Sequence, residues 1–201
     1  MKKALIIFGS KTDEKVYNQI ASVLKKLKVN FDLRVSSAHK TPDDVDETLK
    51  NDYAVVIAGA GLAAHLPGVV AARVIRPVIG VPCEGNYQGL DALLSVAQMP
   101  PGIPVLAVGV NKGNVAAENC AKMMKKHEGV TIIGDKNNDN VKKTIDILKQ
   151  FNIPYAFSGS SNKNTVNIQF TYFDEPVEEK DDLIIYCPLL DKDEDIAESA
   201  L

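Results

Sequence analysis

Four short apolar runs, each followed by a stretch with helical periodicity, constrain this chain more than any other feature. They are Ala4–Phe8, Tyr53–Ala58, Pro77–Val81 and Ile103–Val108. An unbroken run of this length fits a strand buried on both faces of a parallel sheet. Phe31–Val35 alternates instead and supplies a further strand. Between Asp13 and Leu27 the apolar residues Val16, Ile20, Val23, Leu24 and Leu27 recur at spacings suited to an amphipathic helix. Thr41-Pro42-Asp43-Asp44 reads as a helix start, with a capping hydroxyl, proline at the first position and acids in the first turn. Further helical stretches are expected at Ala63–Val74, Leu90–Gln98 and Asn114–Lys125. Strands alternating with helices, over crossovers long enough for right-handed βαβ units, give an α/β fold with helices on both faces of a parallel sheet.

Composition narrows the function. Among 201 residues, 23 basic and 26 acidic side chains leave a net charge of −3, which offers no basic field for a nucleic acid or a membrane surface. The three cysteines, Cys83, Cys120 and Cys187, are widely spaced and form no C-x-x-C pair, so reduced thiols are expected. No apolar run approaches the ~18 residues of a membrane span, and the N-terminal run is too short for a signal peptide. A cytoplasmic protein is expected.

From about residue 129 the composition changes, with a polar Asp135–Asn140 stretch and an acidic run over Asp174–Asp182. This part still echoes the beginning. Thr131–Lys136 follows the pattern of Leu5–Lys11, and Leu148–Tyr155 that of Leu24–Phe31. Leu183–Cys187 stands for the strand at Tyr53–Ile57. Residues 1–128 are therefore read as the catalytic domain and 129–201 as a truncated, decayed repeat with no active site. Two generic βαβ units would also look alike.

In an open parallel sheet, ligands bind outside the carboxyl ends of the strands. Here those ends carry Gly9–Asp13, Ser37–Pro42 and Gly59–His65. Glycine lets backbone approach an anion, and N–H groups at a helix start point toward it. Ser10 and Ser37 add hydroxyl donors, Lys40 adds a charge, and Asp13 is an acceptor for sugar hydroxyls. His39, in a polar loop among small residues, is the best general acid/base in the chain. His65 is either a second polar contact or a structural histidine, and His127, beside Lys125-Lys126, is read as structural. No ligand-spaced set for a metal, no G-x-S-x-G elbow and no P-loop lysine occurs. Gly59–Ala64 also matches G-x-G-x-x-A, with Glu84 near the offset of a ribose-binding acid, which is the pattern of a dinucleotide site. Against that, the motif lies in the third βα turn, and Pro67-Gly68 are expected to interrupt its helix.

Taken together, Gly9–Asp13, Ser37–Pro42, Ala58–Gly68 and Asp91–Val105 resemble the PurE family. Its members are N5-carboxyaminoimidazole ribonucleotide mutases or aminoimidazole ribonucleotide carboxylases of purine biosynthesis. The resemblance runs from about residue 3 to 125. It implies a flavodoxin-like, three-layer αβα subunit assembled as a homo-octamer, with neither metal nor organic cofactor. The implied reaction moves a carboxylate from N5 to C4 of the imidazole by loss and recapture of carbon dioxide. By the same resemblance Ser10, Asp13 and Ser37 bind phosphate and ribose, His39 is the acid/base, and Ala60, Gly61 and Leu66 wall the base pocket with His65 nearby. Lys40 stands where many members carry arginine, and direct carboxylases also carry lysine there, so direct carboxylation is the alternative activity. Leu62 replaces a second glycine. A non-catalytic nucleotide- or dinucleotide-binding domain is the more distant alternative.

Overall fold

A computed structural model of the chain describes residues 3–125, 127–162, 164–172 and 184–189, with side chains up to residue 170. The chain forms two compact units, residues 1–124 and 125–201.

The first unit holds five parallel strands, β1 (Lys3–Phe8), β2 (Phe31–Val35), β3 (Tyr53–Ala60), β4 (Val78–Pro82) and β5 (Leu106–Ala107). Their order is β2-β1-β3-β4-β5, the flavodoxin-like arrangement. The helices are α1 (Glu14–Lys26), α2 (Pro42–Leu49), α3 (His65–Ala71), α4 (Leu90–Ala97) and α5 (Gly113–Met124). The pleat sorts the core. Ala4, Ile6 and Phe8 join Val16, Ile20 and Leu24 of α1 and Ala116, Ala117 and Cys120 of α5. Leu5 and Ile7 join Val45 of α2 and Leu66 and Val70 of α3 on the other face. Residues Ala4 to Phe8 are all fully buried, as a central strand between two helical layers requires.

Three expectations are corrected. The strand expected over Ile103–Val108 pairs only at Leu106 and Ala107. Pro104 lacks a ladder donor, and the turn before it, with Gly102 at φ 84°, ends where Ile103 N–H donates to Pro100 O. Thr41 does not cap α2; its hydroxyl oxygen accepts from Ser37 N–H at 3.0 Å instead. Pro67 and Gly68 do not interrupt α3, which starts at His65 and runs through them. A proline in the first turn loses no hydrogen bond, because those N–H groups have no partner inside the helix.

The second unit has strands β6 (Val130–Ile133), β7 (Tyr155–Phe157), β8 (Val166–Tyr172) and β9 (Ile184–Leu189), all parallel in the order β7-β6-β8-β9, with helix α6 (Asp139–Gln150). This order matches β2-β1-β3-β4 strand for strand. It also moves the expected equivalence: β8 takes the place of β3, and the strand at 184–189 takes that of β4. The turns agree in detail. Leu24 O accepts from Val29 N–H at 2.9 Å with Lys28 at φ 57°, and Leu148 O accepts from Ile153 N–H at 2.9 Å with Asn152 at φ 52°. Both helices thus end on a left-handed residue closed by a six-to-one bond.

One face differs. The register pair Leu5–Val56, under α2 and α3, is replaced by Thr131–Asn167, equally buried. Among its described residues the crossover from β7 to β8 contains no helix, and the polar backbone of its loop needs partners. Asn167 supplies them: Oδ1 accepts from Asn162 N–H at 2.7 Å, and Nδ2 donates to Asn162 O at 3.0 Å. Thr131 and Thr165 hydroxyls bond at 2.6 Å. Lys163, expected at the place of His39 in the repeat, lies outside the described residues, as does the acidic run from Asp174.

Candidate active site

The strand order reverses direction between β1 and β3, and a cleft of about 500 Å³ opens there at the carboxyl ends. All nine residues singled out from the sequence line it. Ser10 and Asp13 come from the loop after β1, Ser37, His39 and Lys40 from the loop after β2, and Ala60, Gly61, His65 and Leu66 from the end of β3 and the start of α3.

The two serines are held alike. Ser10 Oγ accepts from Thr12 N–H at 3.1 Å and from the Thr12 hydroxyl at 2.8 Å. Ser37 Oγ accepts from His39 N–H at 3.3 Å and Lys40 N–H at 3.2 Å. With its lone pairs engaged, each hydroxyl is left with a proton to donate, which suits an anionic ligand. Lys40 adds a positive charge on the same loop. Asp13, half-buried beside them, has a carboxyl raised above its ordinary range by burial, offset in part by the Thr12 hydroxyl. Burial, and then Asp13 itself, pushes the nearby Cys83 thiol up to about 12, so it stays protonated and inert at neutral pH.

His39 Nε2 and His65 Nδ1 lie 3.0 Å apart with the rings edge-on, at 85° and 5.0 Å between centroids. The two nitrogens share one proton, so each ring fixes the tautomer of the other. The loop that brings His65 here is unusual: Leu62 and Ala64 both adopt left-handed backbone, at φ 53° and 34°. Ser95 on α4 anchors it by donating to Ala63 O at 2.5 Å. The wall beside the histidines, Ala60 to Ala64, offers only small or apolar side chains.

Sequence reasoning missed the contact between the two histidines and the roles of Thr12 and Thr41 as partners of Ser10 and Ser37. Spacing gave a signal for the threonines, since hydroxyls two and four residues from a serine in a turn bond locally. It gave none for the histidines, which sit 26 residues apart on different strands' loops.

Comparison with known proteins identifies the family. The family model described as AIR carboxylase matches residues 3–132. The N5-carboxyaminoimidazole ribonucleotide mutase of Methanocaldococcus jannaschii is 55% identical over 113 residues, covering 56% of this chain and 72% of that protein. The protein of the same name from Saccharolobus solfataricus is 40% identical over 156 residues, covering 75% of this chain and 90% of the relative. The crystal structure of Treponema denticola PurE aligns with a TM-score of 0.55 at 26% identity, over 75% of this chain and 94% of that one. With a model covering more than half its length and relatives of this similarity, the chain belongs to the AIR carboxylase family.

Proposed function

We propose that the protein is an N5-carboxyaminoimidazole ribonucleotide mutase of purine biosynthesis, moving the carboxylate from N5 to C4. The observation that carries this reading is the juxtaposition of His39 with His65 against a wall of small residues, in the same cleft as the Ser10, Ser37 and Lys40 cradle. In the proposed sequence the 5′-phosphate sits on that cradle and Asp13 accepts from ribose hydroxyls. His39 donates a proton to N5 as the bond from N5 to the carboxyl carbon breaks, releasing carbon dioxide and the free amine. C4 then attacks the carbon dioxide, and the proton it sheds returns to His39, so no proton is consumed. Ala60, Gly61 and Leu66 keep water away while the gas is held, which favours recapture over escape. Neither metal nor organic cofactor takes part in this scheme.

The finer expectations belong to the same proposal. A cytoplasmic location is one of them, and assembly as a homo-octamer is another, supported by Leu90, Leu94 and Leu106 on α4 and β5, which are 55%, 47% and 42% exposed in one chain and would gain from burial in an assembly. Among the described residues, no helix is long and apolar enough to cross a membrane. Residues 129–201 are read as a decayed repeat without chemistry of its own, supported by the strand order and matching turns.

Direct carboxylation of aminoimidazole ribonucleotide is the second reading, favoured by Lys40, a residue that direct carboxylases of the family also carry at this place. A paired assay separates them. Product formed rapidly from the carbamate, and slowly from the free amine with modest bicarbonate, is the expected result. Efficient turnover from the free amine makes the protein a carboxylase, and no product from either substrate refutes both.

A further inference from the structure

We propose that Glu84 is a specificity-determining residue that accepts a hydrogen bond from the exocyclic N5–H of the aminoimidazole, with Asn111 as its positioning residue. The assignment rests on the mutase reading above, and it accounts for a side-chain pair that the phosphate cradle and the histidines leave unused.

Glu84 follows β4 and lines the cleft. Its N–H donates to Asn111 Oδ1 at 3.0 Å, and Asn111 Nδ2 donates back to Glu84 Oε2 at 3.0 Å. Asn111 is itself fixed, since its N–H donates to Pro82 O at 2.9 Å and its φ of 58° is one that asparagine tolerates. The reciprocal clip engages one carboxylate oxygen and leaves acceptor capacity on the other, on a residue exposed to the cleft.

Position decides which part of the ligand it meets. The loops after β2, β1, β3 and β4 follow one another across the cleft, so Lys40 and Ser37 stand at one end and Glu84 at the other. Gly61, on the wall assigned to the base, lies against this end: a Cβ there would sit 3.4 Å from Cys83 O and 3.9 Å from Glu84 O. A carboxylate here repels phosphate and carbamate oxygens and attracts N–H donors. The exocyclic amine is the donor an aminoimidazole offers. With its hydrogen toward Glu84, the carboxyl group on N5 faces the small-residue wall and His39. Accepting that hydrogen also pushes electron density from N5 through C5 to C4, the atom that must capture carbon dioxide.

Calorimetric titration of the full-length chain with two nucleotides tests this: aminoimidazole ribonucleotide, and the imidazole ribonucleotide that lacks the amine. A hydrogen bond to a carboxylate predicts about tenfold or tighter binding of the amine-bearing nucleotide by the wild type. Glu84→Gln and Asn111→Gly should each lose most of that preference while binding the amine-free nucleotide as before. Glycine suits the left-handed backbone at 111, so the fold is kept, and a merely structural role would weaken both nucleotides together. A preference that survives Glu84→Gln, or an equal loss for both nucleotides, overturns the assignment alone. Wild-type protein that binds neither nucleotide overturns the mutase reading as well.

Discussion

His39 Nε2 meets His65 Nδ1 at 3.0 Å, joining the loop after β2 to the start of α3 across the cleft. The contact lets one ring hold the proton that the other will use. Replacing His39 by alanine or asparagine should lower turnover by about 10²–10⁴-fold, the contribution of a placed general acid/base, while nucleotide binding persists. At position 65 an asparagine keeps a polar atom near the place of Nδ1 and a leucine does not. His65→Asn should therefore retain more activity than His65→Leu, with KM nearly equal in both. Equal turnover in the two would remove the orienting role.

Leu62 holds a left-handed backbone with its side chain 59% exposed, so it bears strain with little burial to compensate. Left-handed geometry costs a non-glycine residue about 1–2 kcal/mol, against roughly 0.5–1 kcal/mol of extra chain entropy lost by glycine. Leu62→Gly should leave stability within about 1 kcal/mol of wild type, whereas β-branched Leu62→Val should cost more, because branching disfavours this region further. Urea denaturation of the two variants measures the difference.

Much of this was legible in the sequence because it depends on local pattern. Ala4–Phe8 had to be a central strand, and glycine, serine and histidine after consecutive strands had to meet at one end of the sheet. What was not legible depended on partners distant in the chain. Nothing in Thr131 or Asn167 announces a core position, since polar residues enter a core only when a loop's backbone needs them. The β8 strand was missed for the same reason: Val166–Tyr172 alternates apolar and polar residues, and Asn167 on its polar side is buried. Ile103–Val108 erred the other way, apolar enough for a strand but carrying Pro104 where a ladder needs a donor.

Phe8 and Gly59 are register partners on β1 and β3, and a Cβ on Gly59 would lie 2.1 Å from the Phe8 ring. In the second unit the sizes are exchanged: Gly134 follows β6, Phe170 lies on β8, and a Cβ at Gly134 would come within 3.0 Å of Phe170 Cβ. One large and one small residue fill the same space in both. Gly59→Ala should destabilise the first unit by about 1–3 kcal/mol, as overpacking does, and Phe8→Leu in the same chain should recover part of that loss. Additive losses in a double-mutant cycle would deny the coupling.

Asp13 supplies the pH dependence. Burial raises its carboxyl in the folded state above the ordinary 3.8, so the folded protein binds its proton more tightly than the unfolded chain does. The sign follows from linkage: stability from this group is present below the ordinary carboxylate value and is lost as pH rises through the folded one. Asp13→Asn removes the charge and should raise the melting temperature at pH 7, with the gain shrinking as pH falls into the carboxylate range. The same variant should bind nucleotide more weakly, because an amide accepts ribose hydroxyls less strongly than a carboxylate. A gain that does not change with pH would contradict the assignment of burial as the cause.

The sheet of the second unit repeats the order of β2, β1, β3 and β4, yet the described residues of its β7 to β8 crossover form no helix and its loop sequence has no counterpart of His39. In the first unit the corresponding loop holds Ser37, His39 and Lys40; in the second it reads Ser158-Gly159-Ser160-Ser161-Asn162-Lys163-Asn164-Thr165, with no histidine. The proposal that residues 129–201 serve as framework without chemistry of their own is supported by a strand order that is kept and a buried face given to Thr131 and Asn167. Removing residues 130–201 should therefore leave turnover per site unchanged, with an altered assembly mass in analytical ultracentrifugation. Lost chemistry in a truncated protein that still assembles correctly would show that the second unit contributes to the reaction.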